Sequence, residues 1–121
     1  MAESPAQPVV WFEIPVSDLE RAAQFYGELF GWRFGRVQDF DPDYVVIDAG
    51  SINGGLRKRE DVEPNNGPFV YVAVEGLLES MERAKELGGD VDEDPALISA
   101  EAGAYAILRD PDGNRIGIWV P

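Results

Sequence analysis

EIPVSDLERAAQFYGELFG, residues 13–31, returns as YVAVEGLLESMERAKELGG, residues 71–89, at a constant offset of 58 positions. Ile14, Val16, Leu19, Leu29 and Gly31 coincide with Val72, Val74, Leu77, Leu87 and Gly89. Strand alternation, helical spacing and the closing glycine therefore repeat together. A small chain with this internal likeness holds two copies of one folding unit.

Upstream of the first copy, Val10, Phe12, Ile14 and Val16 alternate with Trp11, Glu13 and Pro15, which predicts a strand over 9–16 with one face covered by a helix. Ser17-Asp18-Leu19-Glu20 fits a capping box, so the helix is expected to open at Ser17 or Asp18. Its apolar stripe is Leu19, Ala22, Ala23, Tyr26, Leu29 and Phe30, and Gly31 closes it. Downstream, 32–38, 44–49 and 52–58 read as short strands separated by Asp-Pro and Gly-Ser turns. The first unit is thus βαβββ. The second follows as a strand at 69–74, a helix at 77–87 and strands near 90–93, 104–109 and 114–120. Residues 1–8 read as a loose arm, and 94–103 reads as the longest irregular piece, either a lid or a plain crossover loop. The expected fold class is α+β in a single domain over 1–121: unit one about 9–59, a linker about 60–67, unit two about 68–120.

Composition narrows the chemistry. Cysteine and histidine are both absent from the 121 residues, which removes disulfides, thiol nucleophiles, zinc-finger spacing and imidazole catalysis. With 23 acidic against 10 basic side chains the net charge is −13, which opposes binding to nucleic acid or anionic membranes. The acids are scattered, as on a solvated surface. The first residues carry no leader pattern, and no stretch approaches the roughly 18 apolar residues a membrane span needs. A soluble, cytoplasmic protein is the expectation.

The two βαβββ units, DLERAAQFY (18–26), LFGW (29–32), and DPDGN (110–114) before a terminal apolar strand together resemble the vicinal oxygen chelate superfamily. That group contains glyoxalase I, bleomycin-resistance proteins and extradiol dioxygenases. The resemblance runs from about Val9 to Val120. DPDGN makes a tight hairpin turn, while Phe25, Tyr26, Leu29 and Phe30 are expected to supply bulk beneath the sheet.

What the resemblance implies is a cupped sheet with helices outside and a ligand cavity inside, and in the metalloenzymes of the group four floor residues that hold a divalent ion. Those positions map here onto Trp11, Gly55, Phe69 and Gly117. Indole, phenyl and two hydrogens offer no lone pair suited to such an ion, so no metal and no other cofactor is expected.

Strand alternation places Trp11, Glu13 and Pro15 on the inner face, with Phe69, Tyr71 and Ala73 in the second unit and Arg115, Gly117 and Trp119 on its last strand. Trp11, Phe69, Tyr71 and Trp119 make an aromatic lining suited to a planar or cationic organic ligand, or else they simply fill the core. Glu13, an acid on a low-dielectric face, calls for a purpose. It pairs with Arg115 or with an arginine of a second subunit, or it contacts a ligand or acts as a general base. Asn53 before Gly54 and Gly55 marks a bulge or space for a ligand.

The leading expectation is a metal-independent small-molecule-binding protein of the bleomycin-resistance type, homodimeric as many members of the superfamily are. The alternative is a metal-free lyase or isomerase with Glu13 as base and Tyr71 or Arg115 as electrophilic partner. A third reading has the cavity filled and the protein acting through its surface.

Overall fold

In the computed structural model, which describes residues 6–37, 39–63 and 67–121, the alternation at the start of the chain becomes strand β1 (Val9–Val16), its last four residues buried. Helix α1 (Leu19–Phe30) opens at Asp18, whose carboxylate accepts the Arg21 amide at 3.1 Å. Such a cap satisfies one of the amides that the first turn leaves without a partner. With Asp18 as cap, the capping-box glutamate stands one place too early, and the Ser17 hydroxyl instead accepts from the Arg21 guanidinium at 3.0 Å. Gly31 ends the helix in the left-handed region, φ 74°, where a side chain would be strained.

Three strands follow, β2 (Arg33–Gly35), β3 (Tyr44–Asp48) and β4 (Gly54–Lys58). β1 lies parallel to β4, with Glu13 opposite Gly55, and β4–β3 and β3–β2 are antiparallel, giving the order β2-β3-β4-β1. The strand expected over 32–38 shrinks to three residues. Arg36 hydrogen-bonds the Pro42 carbonyl and Asp39 turns the backbone at φ 60°, which ends pairing early; Gln38 lies outside the described residues. The strand expected from 52 begins at Gly54, because the Asn53 side chain accepts the Ala49 amide at 3.2 Å and builds a turn there.

The second copy repeats the plan with β5 (Phe69–Ala73), α2 (Leu77–Glu86), β6 (Asp90–Ser99), β7 (Gly103–Arg109) and β8 (Arg115–Val120). β5 is parallel to β8, with Tyr71 opposite Gly117, and the order is β5-β8-β7-β6. The segment 94–103 is neither lid nor crossover loop. β6 continues through Ser99 against β7, absorbing Pro95, which has no N–H to donate, in register shifts on either side of it. A short turn at 100–102 then leads into β7, with the Ser99 hydroxyl accepting the Ala102 amide at 2.9 Å.

Packing divides the described residues into those within 11–70 and those within 71–121, the latter joined by residues 6–10. The Pro8 carbonyl accepts the Ala73 amide at 2.9 Å, which ties that end of the expected arm to the second copy. Residues 1–5 of the arm and 64–66 of the expected linker lie outside the described residues.

In the first half, Ile14, Val16, Val45, Ile47 and Leu56 form the core against Leu19, Ala22, Ala23 and Tyr26 of α1. In the second, Val74, Met81, Ala106, Leu108 and Ile118 do the same under α2. Burial of each such valine, leucine, isoleucine or methionine side chain contributes roughly 1.5–3 kcal/mol before entropy is counted. Phe25, Leu29 and Phe30 do not supply the bulk expected of them: each is more than half exposed. The space they were to fill is taken by Trp32, whose ring lies 5.4 Å from Tyr26 and 5.6 Å from Phe12. Among the described residues no helix is long and apolar enough to cross a membrane.

Candidate functional site

On the face of the first half turned away from α1, alternation brings Trp11 and Glu13 of β1, Tyr44 of β3, and Gly55 and Arg57 of β4 together. Glu13 is 1% exposed. The Arg57 Nε lies 3.4 Å from its Oε2 and the Arg59 Nη2 lies 3.9 Å from the same oxygen. Arg57 also reaches Asp41, Nη1 to Oδ2 at 3.0 Å, and its guanidinium stands over the Tyr44 ring, 4.7 Å from the centroid. The Trp11 Nε1–H donates to the Tyr44 hydroxyl at 2.8 Å, and that hydroxyl is hydrogen-bonded in turn to Glu13. An indole, a phenol, a carboxylate and two guanidinium groups are thus joined in one network.

The electrostatics follow from burial. Desolvation of the phenolate, then repulsion from Glu13, push the Tyr44 hydroxyl well above the usual tyrosine range, and the Trp11 hydrogen bond and Arg57 only partly offset this. Tyr44 therefore stays a neutral donor at any physiological pH. Gly55 makes room for it: a Cβ there would fall 1.9 Å from the Tyr44 hydroxyl. Ion pairs buried in this way seldom add stability over apolar packing of equal volume, whereas losing one partner costs roughly 3–5 kcal/mol.

The equivalent face of the second half is built differently. Tyr71 stands where the repeat places Glu13, and its ring covers Gly117, whose added Cβ would meet it at 2.3 Å. Tyr71 packs edge-on against Tyr105 at 6.1 Å, and Trp119, paired with Tyr105 across the β7–β8 ladder, donates its indole N–H to the Ala102 carbonyl at 2.7 Å. Asp92 holds two arginines, Arg109 at 2.9 Å and Arg115 at 3.3 Å. The remaining expected residues are placed as follows. Phe69 is buried, and Asn53 is exposed with its side chain committed to the Ala49 turn.

Sequence reading did not single out Tyr44, Arg57, Arg59 or Asp41. The available signal was alternation in β4, which puts Arg57 on the face of Gly55, and the parallel register, which puts Gly55 beside Glu13.

A divalent ion of the kind bound by the metalloenzymes does not suit the four mapped positions. The Trp11 nitrogen is a donor already used by Tyr44, Phe69 has no lone pair to offer, and tyrosine rings occupy the space over Gly55 and Gly117. Among the described residues no three carboxylates gather closely enough to hold a metal.

Two βαβββ halves with one topology and a matching parallel pair define the class as an α+β repeat domain. The family model for the bleomycin resistance protein-like N-terminal region matches residues 9–50. A glyoxylase-like domain-containing protein of Didymella fabae is 29% identical, over 88% of this chain and 88% of its own length. The chain spans less than half the length of other curated relatives that it matches. Among solved structures, a glyoxalase/bleomycin resistance protein/dioxygenase superfamily member from Vibrio splendidus 12B01 superposes with a TM-score of 0.64 at 16% identity, covering 96% of this chain and 100% of that one. Methylmalonyl-CoA epimerase from Mycobacterium tuberculosis shares the fold with a TM-score of 0.68 at 17% identity, covering 100% of this chain and 93% of that one. In fold, and over residues 9–50 in sequence, the chain is similar to proteins of the glyoxalase/bleomycin resistance/dioxygenase superfamily.

Proposed function

We propose that the protein binds a planar organic molecule on the face formed by Trp11, Glu13, Tyr44 and Arg57, and does so without a resident metal ion. The observation that carries this reading is the buried Glu13 carboxylate, 1% exposed and held by two arginines and a tyrosine. Such a network is a poor way to gain stability and a good way to hold polar groups and a flat indole in fixed positions. Glu13 and Asp41 balance Arg57 and Arg59 in charge, so this face favours a flat, polar ligand over the cationic one that the aromatic lining suggested. The donor chemistry of the mapped metal positions supports metal independence.

The alternative, a lyase or isomerase with Glu13 as general base, is less well served. A carboxylate already engaged by two guanidinium groups and a phenol pulls more weakly on a substrate proton than a solitary one. The test is a two-dimensional NMR titration with 2-naphthol and 2-naphthoate, following the three indole N–H signals. Selective shifts of the Trp11 signal, lost in Glu13→Gln, are expected. Uniform shifts, or shifts confined to Trp32, would contradict the placement.

A further inference from the structure

Where α1 gives way to β2, the first half has a cleft of about 260 Å³. Phe30, Gly31, Trp32 and Arg33 line it from the helix end, and Asp48 and Gly50 from the end of β3; none belongs to the Trp11 network. Arg33 begins β2 and Asp48 ends β3, and the antiparallel register sets them directly opposite each other. Facing residues in a sheet have Cβ atoms roughly 5 Å apart, so opposite charges there ordinarily pair. Among the described residues these two do not. Asp48 Oδ1 instead accepts the Gly50 amide at 3.1 Å, closing a turn in which Gly50 takes φ 95°. The exposed Arg33 guanidinium makes no hydrogen bond or ion pair among the described residues. The cleft thus holds one positive and one negative group apart, beside the rings of Phe30 and Trp32, whose centroids lie 5.1 Å from each other.

We propose that this cleft is a second ligand site, and that it takes the zwitterion of a small apolar α-amino acid. The carboxylate meets Arg33, whose planar fork of donors suits that group. The ammonium meets Asp48. The end of α1 adds to this attraction, because the last carbonyls of a helix carry partial negative charge and its capping Gly31 is part of the lining. The apolar side chain covers Phe30, which is otherwise more than half exposed. Size agrees, since the volume falls below the roughly 300 Å³ at which pockets for drug-sized molecules begin. Charge narrows the choice further. A simple anion meets Asp48 and a chain of net charge −13, while a simple cation meets Arg33. An α-amino acid carries both signs on one carbon, as close together as two facing strand residues require.

A heteronuclear NMR titration with L-leucine tests this, following the Trp32 indole N–H and the Arg33 Nε–H, with isocaproate and isoamylamine as analogues that keep only one charge each. Leucine is expected to shift both signals saturably, with a Kd of about 1 mM for two exposed charges and one apolar contact, and to leave the Trp11 indole unmoved. Each singly charged analogue should bind about fivefold more weakly, and so should leucine to Arg33→Gln or Asp48→Asn. Asparagine at 48 can still accept the Gly50 amide, so that variant removes the charge and keeps the turn. The absence of saturable shifts through the millimolar range would overturn the proposal. So would equal binding of the three ligands, leucine shifts centred on Trp11, or leucine binding that survives both substitutions undiminished.

Discussion

Gly55→Ala is a small change with a large expected cost. The new Cβ would lie 1.9 Å from the Tyr44 hydroxyl, 2.0 Å from Cζ and 2.4 Å from Cε1, whereas carbon atoms in contact sit at about 3.5–4.0 Å. The ring is not free to swing aside. It is fixed by the Trp11 hydrogen bond at 2.8 Å, by its bond to Glu13 and by Arg57 stacked 4.7 Å from its centroid. Overpacking costs about 1–3 kcal/mol, and breaking a buried hydrogen bond adds roughly another 1–3 kcal/mol, so a loss of about 3 kcal/mol is expected. With an unfolding entropy of about 2.1 cal/mol/K per residue over 121 residues, that lowers Tm by about 12 °C. Urea unfolding of Gly55→Ala in the wild-type and Tyr44→Ala backgrounds isolates the clash. The second substitution should cost little once the ring is gone, giving a coupling of about 2 kcal/mol. A loss under about 1 kcal/mol in the wild type, or an equal loss in both backgrounds, would refute the reasoning.

Three further outcomes are expected. Tyr44 holds its proton more tightly folded than unfolded, so its contribution to stability is intact below the ordinary phenol value of 10.0 and is lost as pH rises beyond it. Alkaline unfolding curves should therefore flatten in Tyr44→Phe, and an absorbance titration of that variant should show one tyrosine fewer than the wild type ionising only on unfolding. Asp18→Ala removes the α1 cap and should cost about 1 kcal/mol by urea unfolding, while Ser17→Ala should cost little. Asp110 accepts hydrogen bonds from Asn114 and from the amides of the turn, which hold its carboxyl below the usual range; a carboxyl-detected NMR titration should find it ionised at pH values where the solvated aspartates are protonated, and Asn114→Ala should raise it.

The repeat between 13–31 and 71–89 exposed the architecture because its period carries both strand and helix patterns, and these depend on local alternation alone. It also equated Glu13 with Tyr71, and the β1–β4 and β5–β8 registers place these opposite Gly55 and Gly117. What stayed illegible depended on contacts between distant strands. Arg57 reaches Glu13 only through a parallel pairing that closes after α1 and two further strands. Tyr44 looked like one more apolar strand residue, and only its ring lying over Gly55 shows that its hydroxyl enters the polar network. Pro95 suggested a loop where bulges let the strand continue. Leu29 and Phe30 fit a helical stripe, yet the stripe turned outward once Trp32 had filled the space beneath.

The most direct test of the account is a native mass spectrum of the protein gently isolated from its own source. The account predicts subunits that carry the added mass of a small organic molecule, lost in Trp11→Ala, with no divalent ion. Subunits holding one divalent ion each, or an organic mass that Trp11→Ala leaves unchanged, would contradict it.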